Sequence, residues 1–290
     1  MVDFAQFLVS GLTVGAVYAL AALGFTLIYN ASDVVNFAQG EFVMLGGMVT
    51  VSGIQAGLPM FQAAALAVAI TIVVGLALHG GVIAPAKRAN PVTLIILTIG
   101  ASLVIRGIAA LAFGKQFRAL KGFSGDEPLL IAGVAVLPQM LWVLGGSTLI
   151  VIALWLFLSH TLFGKAILAT AANRMAAQLQ GINTGFVTFF SFGASAAVGA
   201  LAGILVTPIT LTSYDVGTLL ALKGFSAAVL GGIGNPIGAV VGGLVIGLLE
   251  ALCAGYVSST YKDAAAFIAI ILVLFVMPQG LLGRRSVERV

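Results

Sequence analysis

The sequence predicts an all-α, polytopic membrane helix bundle, and three observations carry that prediction. Uncharged apolar stretches of about 20 residues, long enough to cross a bilayer, recur along the whole chain. Of the 290 residues 61% are hydrophobic and only 8% charged, where a soluble domain carries about 25% charged residues. Glycine occupies 37 positions, about twice the usual share, which suits tightly packed membrane helices.

The spans follow in order. The first runs from Phe4 to Tyr29, with no basic segment before it and too long an apolar run for a cleaved leader, so it reads as a retained helix. The second covers about Phe37 to Gly57, the third Gln62 to Ala84, ended by Pro85, and the fourth Val92 to Phe113, interrupted by Arg106. Residues 114–138 form the longest mixed loop, and Gln139 to His160 is the fifth span. A less apolar stretch with helical potential, 161–183, precedes the sixth span, Thr184 to Val206, which Pro208 ends. A short piece at 217–232 holds Lys223 and is either a tilted span or a re-entrant half-helix. Ile237 to Val257 and Ala264 to Met277 complete about eight full spans plus the half-length piece, in a single transmembrane domain over 1–290.

The formal net charge of +4 reports topology and not nucleic-acid binding. With the tail inside and the short piece crossing, parity puts the N-terminus outside. Lys87, Arg88, Lys165, Arg174, Arg284, Arg285 and Arg289 are then inside, and Lys115, Arg118, Lys121 and Lys262 outside. Cys253 is the one cysteine, so no internal disulfide forms, and it reads as a small packing residue.

Small residues at four-residue spacing, Gly11/Gly15, Gly199/Gly203, Gly238/Gly242 and Gly243/Gly247, let helix backbones approach closely. Packing within the chain is the simplest use. Gly238 to Gly247 alternatively lines a subunit interface or a narrow passage.

Ionisable groups inside apolar spans are costly and therefore informative. Glu41, Arg106, Lys223 and Glu250 qualify. Snorkelling is the simple reading for Arg106 and Lys223. Glu250 is either a helix–helix hydrogen-bonding group or part of a passage. In "VVNFAQGEF", residues 34–42, Asn36 is placed to N-cap the second span, Gln39 takes the capping-box position, and Glu41 falls near the positive end of the helix dipole.

Several chemistries are excluded. No P-loop motif occurs, so the chain cannot cradle a nucleotide in one. His79 and His160 have no metal-ligand spacing around them, and no serine elbow or cysteine–histidine pairing is found, so neither catalysis nor a metal or other cofactor is expected. Within 161–183, "AANRMAAQLQG" is a good helix former that Gly181 is placed to end, with Asn173, Arg174, Gln178 and Gln180 as polar members. Such a helix either docks on a separate motor subunit or lies on lipid.

Five stretches in order, "NFAQGEFVMLGG" from 36, "GIN" from 181, "FGASAAVGALAGIL" from 192, "KGFSAAVLGGIGNPIGAVVGGLVIGLLEAL" from 223 and "YKDAAAFIAIILVLFVMPQGLLGR" from 261, resemble the LivH-type permease family. These are the membrane subunits of bacterial branched-chain amino acid ABC importers, and the resemblance covers nearly the whole chain. It implies a multi-pass protein of the inner membrane, paired with a LivM-like second permease. Two ATPases, LivG-like and LivF-like, would bind beneath, and a periplasmic solute-binding protein would deliver the solute. It implies a cytoplasmic coupling helix at about 165–182, with Lys165, Asn173, Arg174, Gln178 and Gly181 meeting the ATPases. Asn36, Gln39, Glu41 and Glu250 are the expected translocation-pathway residues. Members of the family also move amides, urea and aromatic carboxylates. A stand-alone channel or proton-coupled carrier is the competing reading, and a non-transporting scaffold a third. Two departures stand out: Gln39 occupies a place where the family usually has histidine, and Leu168 replaces one of two arginines near Lys165.

Overall fold

The computed structural model describes residues 2–86, 89–131 and 133–283. Among the described residues the chain is almost entirely helical. In order come α1 (Val2–Ser32), α2 (Gln39–Gln55), α3 (Met60–Leu78, continued by a π-helical turn His79–Ile83), α4 (Pro91–Phe113), α5 (Pro138–His160), α6 (Leu162–Ala172), α7 (Arg174–Leu179), α8 (Thr184–Thr210), α9 (Val216–Gly231), α10 (Pro236–Tyr256) and α11 (Lys262–Val276). Six of them, α1, α3, α4, α5, α8 and α10, are long and apolar enough to span a membrane. The shorter α2 and α11 fill the other two expected places, and α9 is the half-length piece. A two-stranded hairpin, β1 (Leu129–Ile131) with β2 (Val134–Val136), lies in the long loop.

One end of the bundle gathers the N-terminus and the 114–137 loop. The Gln6 amide donates to Ala135 O (2.8 Å) and accepts from Ala135 N (3.0 Å), which ties α1 to β2. Arg118 pairs by its backbone with Thr212, and its guanidinium donates to Ser52 and Gln55 at the end of α2. The opposite end gathers the end of α1, α6–α7 and residues 232–235 and 277–283, where Leu281 N and Leu282 N donate to Leu230 O and Gly231 O. This division matches the alternation expected for a chain whose short piece crosses. Lys87, Arg88, Arg284, Arg285 and Arg289, which carry much of the expected charge asymmetry, lie outside the described residues.

Helices α1–α4 and α8–α11 occupy corresponding places. α2 packs on α8 as α9 packs on α1, α3 on α8 as α10 on α1, and α4 on α2 as α11 on α9. Since α1 and α8 run in opposite directions between the two ends, the two sets form an inverted pair of the kind common in transporters.

Glycine makes the central contacts possible. Gly11 and Gly15 face Leu248 and Leu244 on α10, while Gly243 and Gly247 face Ala19 and Gly15 on α1. The other face of α10, Gly238 and Gly242, meets Gly231 and Ala227 of α9, and Gly199 and Gly203 of α8 meet Phe42 and Val43 of α2. Both glycine faces of α10 are thus spent within the chain, which corrects the alternative of a subunit interface or passage at Gly238 to Gly247.

Two helices start inside the apolar body. Gln39 opens α2 against Gly24, eight residues before the end of α1, which places the start about 12 Å inside that end. Gly217, at the start of α9, lies against Gly40 O and the Glu41 carboxylate. The N-termini of α2 and α9 therefore meet in the interior.

Replacing Gly243 or Gly247 with valine should cost at least about 1–3 kcal/mol, because the added carbons run into α1 backbone, joined at Gly243 by the Ala19 methyl. Gly100→Ala or Gly107→Ala on α4, where nothing lies near, should change stability by less than about 0.5 kcal/mol. Thermal unfolding in detergent measures both. Equal melting of all four variants would contradict the packing described.

Candidate functional site: two polar clusters inside the bundle

The 33–38 segment carries the chain from the end of α1 back into the body to start α2. Asp33 takes a left-handed conformation (φ 56°) at the reversal. Asn36 does not N-cap α2 as expected. The N-cap is Ala38, without a side-chain cap, and Asn36 Oδ1 instead accepts from Ala38 N (3.1 Å) while its carbonyl accepts from Gln39 N (3.1 Å). The cause is a tight turn that places Asn36 two residues before the N-cap position, so its side chain closes the turn instead of the first turn of the helix. Asn36 and Gln39 are fully buried and Glu41 is 1% exposed.

Gln39 makes no capping box either. Ser195 Oγ of α8 lies 2.5 Å from Gln39 Oε1 and 2.8 Å from Gly24 O, which share its one proton, and Gln39 Nε2 donates back to Ser195 O (3.3 Å). Its amide joins α1, α2 and α8 at one point, and the bare Gly24 leaves room for it.

Glu41 accepts from Ser102 Oγ of α4 at Oε1 (2.8 Å), while Oε2 has no partner and lies against Gly217. Asn36 Nδ2 is also without a partner. Along α4, Thr98, Ser102 and Arg106 stand four residues apart on one face. Thr98 Oγ1 accepts from Phe37 N (3.2 Å), Ser102 holds Glu41, and Arg106 Nη1 donates to Thr218 Oγ1 of α9 (2.7 Å). Arg106 is thus drawn to the start of α9. These are the main polar ties of α4, which packs on α2 and the π-helical turn and leaves Ile96, Leu103, Val104, Ile108 and Leu111 exposed.

The second cluster joins α1, α9, α10 and α11. Lys223 Nζ lies 2.8 and 2.9 Å from the two Glu250 carboxylate oxygens, and donates to Asp263 Oδ1 (2.6 Å) and Tyr18 Oη (3.0 Å). Tyr18 Oη donates to Glu250 Oε2 (2.8 Å). Lys223 is 4% exposed, so it does not snorkel, because two carboxylates and a phenol satisfy the ammonium in place. Glu250 makes the expected helix–helix bond. A cavity of about 400 Å³ lies beside the cluster, with Ser10, Thr210 and Asp263 among its polar wall.

At the end that gathers residues 232–235 and 277–283, the helix expected over about 165–182 is two helices, α6 and α7. Asn173, with extended backbone (φ −162°, ψ 104°), ends the first and caps the second, accepting from Ala176 N at 2.9 Å. An asparagine that satisfies a new helix start competes with continuing the old one. Gly181 (φ 82°) closes α7, with Ile182 N donating to Ala177 O and Gly181 N to Gln178 O. Lys165, Asn173, Arg174 and Gln178 are exposed, and so are Leu162, Met175 and Leu179 around them.

The spans' charged residues were legible in the sequence, but their partners Ser102, Thr218, Tyr18, Ser195 and Asp263 were not. The Thr98–Ser102–Arg106 spacing was an available signal, since three polar residues on one face of an apolar span need a polar neighbour.

Loss of one partner of a buried ion pair leaves the other unpaired and costs about 3–5 kcal/mol. Lys223→Met strands Glu250 and should destabilise most, Glu250→Gln less because Asp263 still meets Lys223, and half-exposed Asp263→Asn least. Melting in detergent tests this order, and a harmless Lys223→Met would refute it.

A family model described as "Branched-chain amino acid transport system / permease component" matches residues 7–277. The chain is 34% identical to the high-affinity branched-chain amino acid transport system permease protein LivH of Escherichia coli, over 99% of this chain and 98% of that one. It is 32% identical to the corresponding permease protein BraD of Pseudomonas aeruginosa over the same shares. The ribose import permease protein RbsC of Haemophilus influenzae is 27% identical over 93% of this chain and 84% of its own. A solved chain of PsaBC from Streptococcus pneumoniae in complex with Fab shares the fold, with a TM-score of 0.52, 14% identity and coverage of 96% and 93%.

Proposed function

Because the chain belongs to the branched-chain amino acid transport system permease family, we propose that it is the membrane-spanning permease subunit of an ABC importer that moves branched-chain or related amino acids across the bacterial inner membrane. The full-length likeness to LivH carries this reading. ATP hydrolysis belongs to partner subunits in this reading, and the chain's lack of a P-loop agrees with that. A LivM-like permease completes the passage, two ATPases of LivG and LivF type drive it, and a periplasmic binding protein delivers the solute.

Helices α6 and α7 are the proposed coupling element. They stand out at the inner end with apolar Leu162, Met175 and Leu179 beside Lys165 and Arg174. Capping at both ends makes them firm enough to pass on a push. The broken form gives two short rods with a fixed angle at Asn173 in place of one helix.

The passage is proposed to run along the α2/α9 junction. Asn36 and Glu41 each keep a buried polar atom without a partner there. Gln39 is engaged with Ser195, and Glu250 is neutralised by the Lys223 ammonium, so in this reading they hold the walls of the passage. Alternating access follows if the two inverted halves rock about this region, with α4 as the movable wall because it is the most thinly packed. The RbsC relatives favour a second reading, a permease for a sugar-like solute.

Purification from the native membrane should bring a second permease and two P-loop ATPases with the chain. Uptake by the chain alone in liposomes, driven by a pH gradient, would refute the importer reading. In the reconstituted importer, Glu41→Gln combined with Asn36→Ala should lower ATP-dependent leucine uptake by about tenfold or more. Unchanged uptake at normal protein levels would remove these residues from the passage. Gly181→Val, which places a β-branched residue at φ 82°, should cost α7 about 1–2 kcal/mol. It should weaken ATPase co-purification before it affects the melting of the bundle.

A further inference from the structure

The interior junction of α2, α9 and α4 presents an unspent anion and an underused cation side by side. Glu41 Oε2 is buried with no partner. Arg106 has five N–H donors, and among the described residues its one side-chain partner is Thr218. Among the described residues no carboxylate lies within ion-pair distance of it, since the ion pairs found there all belong to Lys223. Asp215, the nearest carboxylate in sequence to Thr218, takes the Ser213 hydroxyl instead (2.5 Å).

The two groups are neighbours by construction. Ser102, which holds Glu41, lies four residues before Arg106 on the same face of α4. Gly217, which faces Glu41 Oε2, immediately precedes Thr218. Two consecutive rungs therefore link α4 to the α2/α9 junction, about 6 Å apart by helix rise. One rung ends in a carboxylate and the other in a guanidinium. The guanidinium stands seven residues from the end of α4 and is half-buried, with Thr218 exposed beside it, so its remaining donors are open to a solute. The two helix starts add their partial positive charge to the same region.

We propose that Arg106 with Thr218 and the free oxygen of Glu41 form the station at which this permease holds an α-amino acid in passage. The guanidinium takes the solute carboxylate and Glu41 its ammonium. This rests on the importer reading and adds to it a recognition of the zwitterion by the permease itself. The same pair explains why the two groups do not neutralise each other: Glu41 is turned under Gly217 and held by Ser102, while Arg106 is turned to Thr218. The solute bridges them once α4 swings clear. The station engages only the carboxylate and ammonium of the solute, so it selects the amino acid backbone and leaves side-chain choice to the binding protein.

The test is leucine uptake by the complete importer in liposomes, read as uptake per ATP hydrolysed. Arg106→Gln should lower this ratio about tenfold. Arg106→Lys, a point cation without the fork, should fall between Arg106→Gln and the parent. Thr218→Val, which keeps the volume, should lower it several-fold, with half-saturating leucine unchanged because the binding protein sets it. A parental ratio in Arg106→Gln or in Thr218→Val overturns the proposal. So does Arg106→Lys performing no better than Arg106→Gln. If Arg106→Gln fails to assemble, the Lys and Val variants decide alone. A parent importer without ATP-dependent leucine uptake would sink the importer reading and not the station in particular.

Discussion

An α-helix that begins inside an apolar body leaves about four backbone N–H groups with no water to satisfy them. This chain begins two helices there, α2 and α9, and brings their starts together. Much of the interior chemistry follows from that. Carboxylates are favoured at helix starts, and Glu41 sits in the first turn of α2 against the first turn of α9. Asn36 folds its carbonyl and side chain onto the turn just before. The stripe on α4 supplies hydroxyl and guanidinium groups at matching heights.

The two polar clusters differ in one physical respect that separates their roles. Around Lys223 every strong donor is matched, and the ammonium meets two carboxylates and a phenol. A saturated buried ion pair holds helices in register and resists change, because opening it exposes uncompensated charge. Glu250 Oε1 makes no hydrogen bond but lies 2.8 Å from the Lys223 ammonium, whereas Glu41 Oε2 and Asn36 Nδ2 lack hydrogen-bond partners and, among the described residues, no cation lies within ion-pair distance of Glu41. Such groups cost about 1–3 kcal/mol each when left buried. A fold that keeps them gains that energy back when a polar solute arrives.

The fold was largely legible in the sequence because apolar run length reports span length directly, and the expected spans agree with the helices to within a few residues. Which loops gather at the same end followed from the count of crossings. What the sequence hid was depth. Composition treats α2 as an ordinary span from Phe37, yet its start lies well inside the bundle, because nothing local records how far residues 33–38 travel inward. The break at Asn173 was hidden because an alanine-rich run favours helix on both sides, and one asparagine can cap as readily as continue. Lys223 looked like a snorkelling residue because its partners come from residues 18, 250 and 263, distant in sequence and adjacent only after folding. The inverted pair of helix sets leaves contact geometry in common but little obvious identity between the two halves.

The corresponding places of α4 and α11 turn these differences into a direction of motion. Each is an outer helix attached to a short inner one, α4 to α2 and α11 to α9. α11 is pinned by an ion pair between Asp263 and Lys223. α4 is pinned by hydroxyl and guanidinium hydrogen bonds from three residues, each worth about 0.5–3 kcal/mol net. The α1–α10 contact between them interlocks glycine against backbone and cannot slide without collision. In the importer proposed above, a push from α6 and α7 would meet a stiff centre and the thinly packed α4, so the movement that opens the bundle would also uncover Glu41 and Asn36, the groups left without hydrogen-bond partners.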